Sequence, residues 1–248
     1  MRLLFIRHGD PDYANDSLTA QGKKEAELLA TRLAKEKIDY IYSSPMGRAL
    51  LTAIPTAKAL GKEDEIVVKP HFREFNHFDG DKKICFPTGD CRSTAWDMLP
   101  SYWTTQENFY DKNKWHEADF YKAIGLKQEY DLVIDEFDEL LQNHGYKRKG
   151  NYYEAIKPNT DTIAIFCHFG VQSVMLSHIF GVSPVPIWQH AIALPTAITT
   201  LYTEERRKGV ASFRMTCFGS TEHLYAGGET PSFAGRFCEI FDSEDRHD

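Results

Sequence analysis

The sequence predicts an α/β protein of three layers: a mostly parallel sheet with helices on both faces, plus an inserted cap. Three observations lead there. Apolar strand-like runs, Leu3-Leu4-Phe5-Ile6, Tyr40-Ile41-Tyr42 and Thr162 to Cys167, alternate with segments whose apolar residues recur at helical spacing. Each run ends in a short polar or glycine-bearing segment, Arg7-His8-Gly9, Ser43-Ser44-Pro45 and His168-Phe169-Gly170, before the next helical pattern begins. Late in the chain, 196–202 and 210–217 read as two strands joined across the polar turn Glu204 to Gly209.

Taken in order, the first strand is followed by a helix whose apolar face is Ala26, Leu29, Ala30 and Leu33, with Thr19 as its cap. The strand at 40–42 leads into a second helix, with Ser44 as cap, Pro45 in the first turn and Leu50, Leu51, Ile54 and Ala57 facing inward. Ile66-Val67-Val68 is strand-like and runs toward Arg73-Glu74-Phe75. Sixteen of the thirty-two aromatic residues fall between 75 and 160, which suggests a packed cap over about 76–160 instead of a loose loop. Most of them, Trp96, Tyr102, Trp103, Phe109, Tyr110 and Trp115 included, are expected to pack that insert on the core, and substrate choice is expected to reside there. Near its end, Leu132, Phe137, Leu140 and Leu141 outline one helix, and Lys147-Arg148-Lys149 reads as a solvated turn. A further helical pattern runs from Val171 to Phe180.

Composition bounds the function classes. A chain of 248 residues with 42% hydrophobic residues can bury a large core as one domain, 1–248. A net charge of −7 without a basic run argues against nucleic acid. No run of ~18 apolar residues is present, and the four-residue apolar start is too short for a signal peptide, so the expected location is the cytoplasm. The five cysteines, 85, 91, 167, 217 and 238, lack the paired spacing of a zinc site. They are expected as reduced thiols, with a local Cys85–Cys91 disulfide as the alternative.

The chemistry-bearing residues stand just past strand ends, so they gather at the carboxyl edge of the sheet. Neutral imidazole is a competent nucleophile near pH 7, and attack by His8 on phosphorus would give a phosphoamide that water can cleave. Arg7 offers a planar fork of donors to phosphate oxygens, and Arg48, in the first turn of the second helix, adds another. His168 arrives at a strand end beside Gly170, where a helix N-terminus favours negative charge. Glu74 supplies a carboxylate, with Asp79 and Asp81 nearby. Asn15 and Ser17 either donate to phosphate or simply shape a turn with Asp16, and His77 lies close enough to Glu74 to touch substrate.

With these residues in view, the chain resembles the histidine phosphatase superfamily, also called the phosphoglycerate mutase-like family. The likeness is carried by Arg7-His8-Gly9, Leu18-Thr19-x-x-Gly22, the stretch Ser43-Ser44-Pro45-x-x-Arg48-Ala49-x-x-Thr52-Ala53, Glu74, and His168-x-Gly170. The segment from 75 to about 160 has no obvious counterpart. The resemblance implies a nucleophilic His8, a phosphate clamp of Arg7, Arg48 and His168, and Glu74 as proton donor to the leaving group. Phe169 after His168 fits the branch with a glutamate acid, since the other branch has aspartate there. No metal or cofactor is implied, and the expected partner is a small-molecule phosphomonoester. A mutase of the phosphoglycerate type is disfavoured, because Asp10 to Asp16 replaces the tryptophan-rich loop that such mutases carry. A catalytically silent phosphate-binding or regulatory module is disfavoured because all five residues are present.

Overall fold

A computed structural model of the chain describes residues 1–75, 83–233, 239, 240 and 242; His77, Asp79, Asp81 and Cys238 lie outside the described residues. Eight strands form the main sheet. In chain order they are β1 (Arg2–Arg7), β2 (Tyr40–Ser43), β3 (Ile66–Val68), β4 (Tyr146–Lys149), β5 (Tyr152–Ala155), β6 (Thr162–Cys167), β7 (Ile198–Arg207) and β8 (Val210–Ser220). In space they run β3-β2-β6-β1-β7-β8-β5-β4. The half from β3 to β1 is parallel, as the alternation of strands and helices predicts. From β1 onward every pairing is antiparallel, so the sheet is mixed and its parallel half carries the strand ends of interest.

Strand alternation builds two cores. Leu3 and Phe5 of β1, with Ile163, Ile165 and Cys167 of β6, face one way; Leu4 and Ile6, with Ala164 and Phe166, face the other. The second face is covered by α1 (Ala20–Leu33) and α2 (Gly47–Ala59), the first by α3 (Leu126–Asn143) and α4 (Phe169–Phe180). Helix α1 buries the expected face and is capped by Thr19, whose Oγ1 accepts from the Gly22 N–H at 3.0 Å. Helix α2 differs from the reading of its pattern. Leu51 and Ile54 are exposed, and the buried face is Ala49, Thr52, Ala53, Thr56 and Ala57, small side chains that let α2 lie close to α1 and the sheet. Ser44 is not its cap: the helix begins at Gly47, and the Ser44 hydroxyl is engaged elsewhere.

Part of the stretch 76–160 is built into the sheet and the helices that cover it. Within it, α3 packs Tyr130, Val133, Phe137, Leu140 and Leu141 into the core, with Leu132 exposed. The hairpin of β4 and β5 extends the main sheet. Lys147 to Lys149 therefore forms a strand, and Arg148 lies 4.9 Å over the Tyr153 ring while donating to the carbonyls of Gly150 and His178. The residues from 83 to about 125 add short helices and 3-10 turns around Trp103, Phe109, Trp115 and Tyr121, all buried and continuous with that core. Those rings dock against Trp188 and His190 of α5 (Pro184–His190), so most of the aromatics do pack the segment on the core. Cys85 and Cys91 form a disulfide across a two-residue β-pair, contrary to the expectation of reduced thiols. Antiparallel register sets the two cysteines opposite each other, within bridging distance.

Candidate active site

Because β2, β6 and β1 are neighbours in that order and run parallel, the residues after their carboxyl ends emerge side by side. The ladder continues past the strands: Ser44 N–H donates to the Phe166 carbonyl at 2.8 Å and His8 N–H to the Cys167 carbonyl at 3.0 Å. Ser44, His168 and His8 are thereby set in a row, and the rings of His8 and His168 lie 5.0 Å apart.

His8 is fixed on every side. Its carbonyl accepts from Thr196 N–H at 3.1 Å, and the next residue, Gly9, donates its N–H to Thr52 Oγ1 at 2.9 Å. Its ring nitrogen Nδ1 lies 2.7 Å from the Gly9 carbonyl oxygen, which can only accept. Nδ1 therefore carries the proton, and the lone pair of the neutral ring is on Nε2. Burial, then the charges of Arg7 and Arg48, hold the imidazole pKa well below its usual 6.5, so the ring stays neutral.

The cations around it are anchored by the protein. Arg7, next to His8 and buried, donates Nη1 to the Ala193 carbonyl at 2.5 Å. Arg48, the second residue of α2, donates Nη1 to Asp16 Oδ1 at 2.6 Å and lies 5.4 Å over the Tyr13 ring. His168 Nε2 pairs with Ser44 Oγ at 2.8 Å, which is the use of Ser44 that its reading as a helix cap missed.

Glu74 reaches the same place from the segment after β3. Its Oε1 accepts from the N–H groups of Phe75 at 2.9 Å and Val171 at 3.2 Å. Burial raises its pKa above the ordinary 4.5, with Arg48, Arg7 and the two N–H groups opposing. The ring of Trp96 lies against Gly170. A Cβ on Gly170 would run into that ring and come within 2.7 Å of Glu74 Oε1, so glycine is what lets the tryptophan and the carboxyl both approach the start of α4. Gly170 also accepts from Trp188 Nε1 at 3.1 Å. Its place is one of packing around the acid.

Arg7, His8, Arg48, Glu74 and His168 thus converge from separate stretches of chain. Asn15 is exposed, and both its amides donate to Asp12, which is the turn role. Ser17 sits in a two-residue strand paired with Pro11–Asp12. The sequence alone assigns no site contact to Asp16, Thr52, Trp96, the Ala193 carbonyl or Thr196, although Thr52 lies in a motif, Trp96 among the aromatics of the insert and Asp16 in a turn, because each acts on a residue far away in the chain. A cavity of about 410 Å³ opens beside Arg48, lined by Tyr13, Asp16, Met46 and Arg73 among others, with room for a small organic group. Among the described residues, no group of three or more His, Cys, Asp or Glu side chains could hold a metal. No helix among them is long and apolar enough to cross a membrane.

The edge of a parallel sheet in an α/β protein thus gathers a buried imidazole, two buried guanidinium groups and a carboxyl whose pKa burial raises, a set of groups suited to an oxyanion. Residues 3–84, about a third of the chain, match the family model of the histidine phosphatase superfamily (branch 1). Among curated proteins it is similar to Phosphoserine phosphatase 1 of Hydrogenobacter thermophilus, 22% identical over 230 residues that cover 88% of this chain and 93% of that one. Among solved structures, the Entamoeba histolytica phosphoserine phosphatase in complex with 3-phosphoglyceric acid superposes with a TM-score of 0.54 at 22% identity, covering 90% of this chain and 98% of the other. Phosphoglycerate mutase from Bacillus anthracis superposes with a TM-score of 0.58 at 15% identity, covering 92% and 97%. At these identities the two structures establish the shared fold.

Proposed function

We propose that this protein hydrolyses small-molecule phosphomonoesters through a phosphohistidine intermediate on His8. The observation that carries the reading is the pairing of ionisation states: a buried imidazole kept neutral with its lone pair on Nε2, and across from it a carboxyl whose burial favours the proton. In the first step the Nε2 lone pair attacks phosphorus, the ester P–O bond breaks, and Glu74 gives its proton to the departing oxygen. Arg7, Arg48 and His168 compensate the charge on the phosphoryl oxygens. In the second, the Glu74 carboxylate takes a proton from water, the water oxygen bonds to phosphorus, the P–N bond breaks, and neutral His8 returns as inorganic phosphate leaves. The chemistry as written uses no metal or cofactor.

The net charge of −7 supports a small ester over a nucleic acid as substrate. The relatives' names make phosphoserine and 3-phosphoglycerate the first esters to try. The cytoplasmic location expected from the sequence is kept in this proposal. The Cys85–Cys91 bridge weighs against it, because reducing compartments rarely keep such bonds, and cell fractionation decides the matter.

The test is phosphate release from a panel of phosphomonoesters with chelator present, together with acid-labile label trapped on the enzyme in a single turnover. Release is expected for at least one ester, with label on His8, and His8→Ala should fold normally and release none. An alanine variant as active as the wild type would overturn the mechanism, and transfer of label to an added hydroxyl acceptor without phosphate release would favour a mutase.

A further inference from the structure

Asp16 stands in a tight turn with φ +44° and ψ +47°, and its carboxylate reaches across 32 positions of sequence to the start of α2. Its two oxygens are divided. Oδ2 accepts from the Gly47 N–H at 2.6 Å, taking the place of a helix cap, and Oδ1 accepts from Arg48 Nη1 at 2.6 Å. A Cβ on residue 47 would run into the Asp16 carbonyl oxygen, so the turn docks only because that position is glycine.

The division decides which edge of Arg48 remains. Arg48 is buried, 3% exposed. In arginine Nη1 is the terminal nitrogen cis to Cδ, so it lies on the side of the aliphatic stem. With Nη1 held, the edge formed by Nε and Nη2 is left over. Nε is buried without a hydrogen-bond partner among the described residues, and Nη2 reaches only the Met46 sulfur at 3.4 Å. Two parallel N–H groups are what a phosphate accepts side-on through a pair of oxygens.

We propose that Asp16 is a positioning residue: it grips one end of the Arg48 guanidinium so that the Nε and Nη2 edge is presented to the phosphoryl group. This rests on the phosphoryl-transfer reading above. The contrary role, a carboxylate competing with phosphate for Arg48, does not fit the geometry, since Asp16 takes a nitrogen outside the remaining edge.

The experiment is a double-mutant cycle of Asp16→Ala and Arg48→Ala, read by calorimetric binding of inorganic phosphate and by kcat/KM on an ester that the wild type hydrolyses. Asp16→Ala should weaken phosphate binding about 10-fold and lower kcat/KM by about 10- to 100-fold, the scale expected when a charge-assisted hydrogen bond is removed. In the Arg48→Ala background the same change should matter by less than about 2-fold, because a residue acting through Arg48 has nothing left to position. Asp16→Asn keeps one acceptor oxygen and should fall in between; it carries the test if the alanine variant does not fold. Tighter phosphate binding in the Asp16 variants, or an equal loss in both backgrounds, overturns the inference. Failure of the hydrolase reading looks different: phosphate binds and the coupling persists, but no ester is cleaved.

Discussion

At the scale of single residues, burial shifts two ionisations in opposite directions, lowering that of His8 and raising that of Glu74. In the proposed mechanism the first step needs His8 neutral and Glu74 protonated, a combination that unperturbed groups would rarely hold together. Here His8 lies well below 6.5 and Glu74 above 4.5, so the productive state gains population. The rate of phosphoryl transfer to His8 should therefore fall as pH drops through the lowered His8 value, and fall as pH rises through the raised Glu74 value. Glu74→Gln should lose the alkaline limb in single-turnover profiles. It should also slow transfer from alkyl phosphates by about 100-fold or more, but far less from p-nitrophenyl phosphate, whose leaving group departs without a proton. Equal losses for both esters would remove Glu74 from the acid role. These groups were legible in the sequence because each sits beside a strand end or in a motif. The pKa shifts were not, since burial of Glu74 depends on Trp96 and on α4, which a one-dimensional reading does not bring near.

Secondary-structure elements supply the rigidity that those residues need. The loop of residues 191–197 receives Arg7 through the Ala193 carbonyl and His8 through Thr196 N–H, and Thr196 holds a left-handed φ of +56° to do so. Its hydroxyl donates to the Pro195 carbonyl and accepts from His223 Nε2 at 3.0 Å, tying the loop to the short helix Glu222–Ala226. His223 is buried, and its Nδ1 has no hydrogen-bond partner among the described residues, so a second proton there would be unpaired. Burial, with Arg32 nearby, takes its pKa down to about 4 from 6.5. Between those values the unfolded chain binds more protons than the native one. The stability that His223 contributes is therefore fully present above pH 6.5 and is lost as pH falls toward 4, by up to about 3 kcal/mol. Urea midpoints at pH 7 and 4.5 should show a smaller acid loss in His223→Gln than in the wild type; identical losses would assign the effect to other groups. Element existence was readable from periodicity, as α1 and β6 illustrate. The inward face of α2 was not, because alanine and threonine can outrank leucine and isoleucine where helices must approach closely.

For the whole molecule, the central feature is the junction at Trp188. Its ring stacks on Phe75 at 5.2 Å, meets Trp96 at 5.8 Å and Trp115 at 5.7 Å, and its Nε1 donates to Gly170. One side chain thus joins the cap, the residue after the acid and the first turn of α4. Trp188→Ala should lower stability by about 3–5 kcal/mol and slow the first step on alkyl phosphates. Trp103→Ala, which empties another buried site in the cap against Tyr110 and His190, should cost similar stability while leaving that step near the wild-type rate. Matching kinetic losses would mean that Trp188 has no special link to Glu74. The aromatic density of this stretch was plain in the sequence, but its division was not. Helix α3 and the β4–β5 hairpin belong to the core because α3 is amphipathic and β5 finds an edge on β8, a pairing between segments over 50 residues apart.

Both arginines of the site have one Nη nitrogen already tethered, Arg7 to the Ala193 carbonyl and Arg48 to Asp16. An arginine side chain carries roughly 2 kcal/mol of rotamer entropy, and here much of that freedom is surrendered when the chain folds, before any ligand arrives. Capture of a phosphate-sized anion then immobilises little that was moving. Its entropy change should be governed by released water and counterions, with heat supplied by hydrogen bonds whose donors were waiting in place.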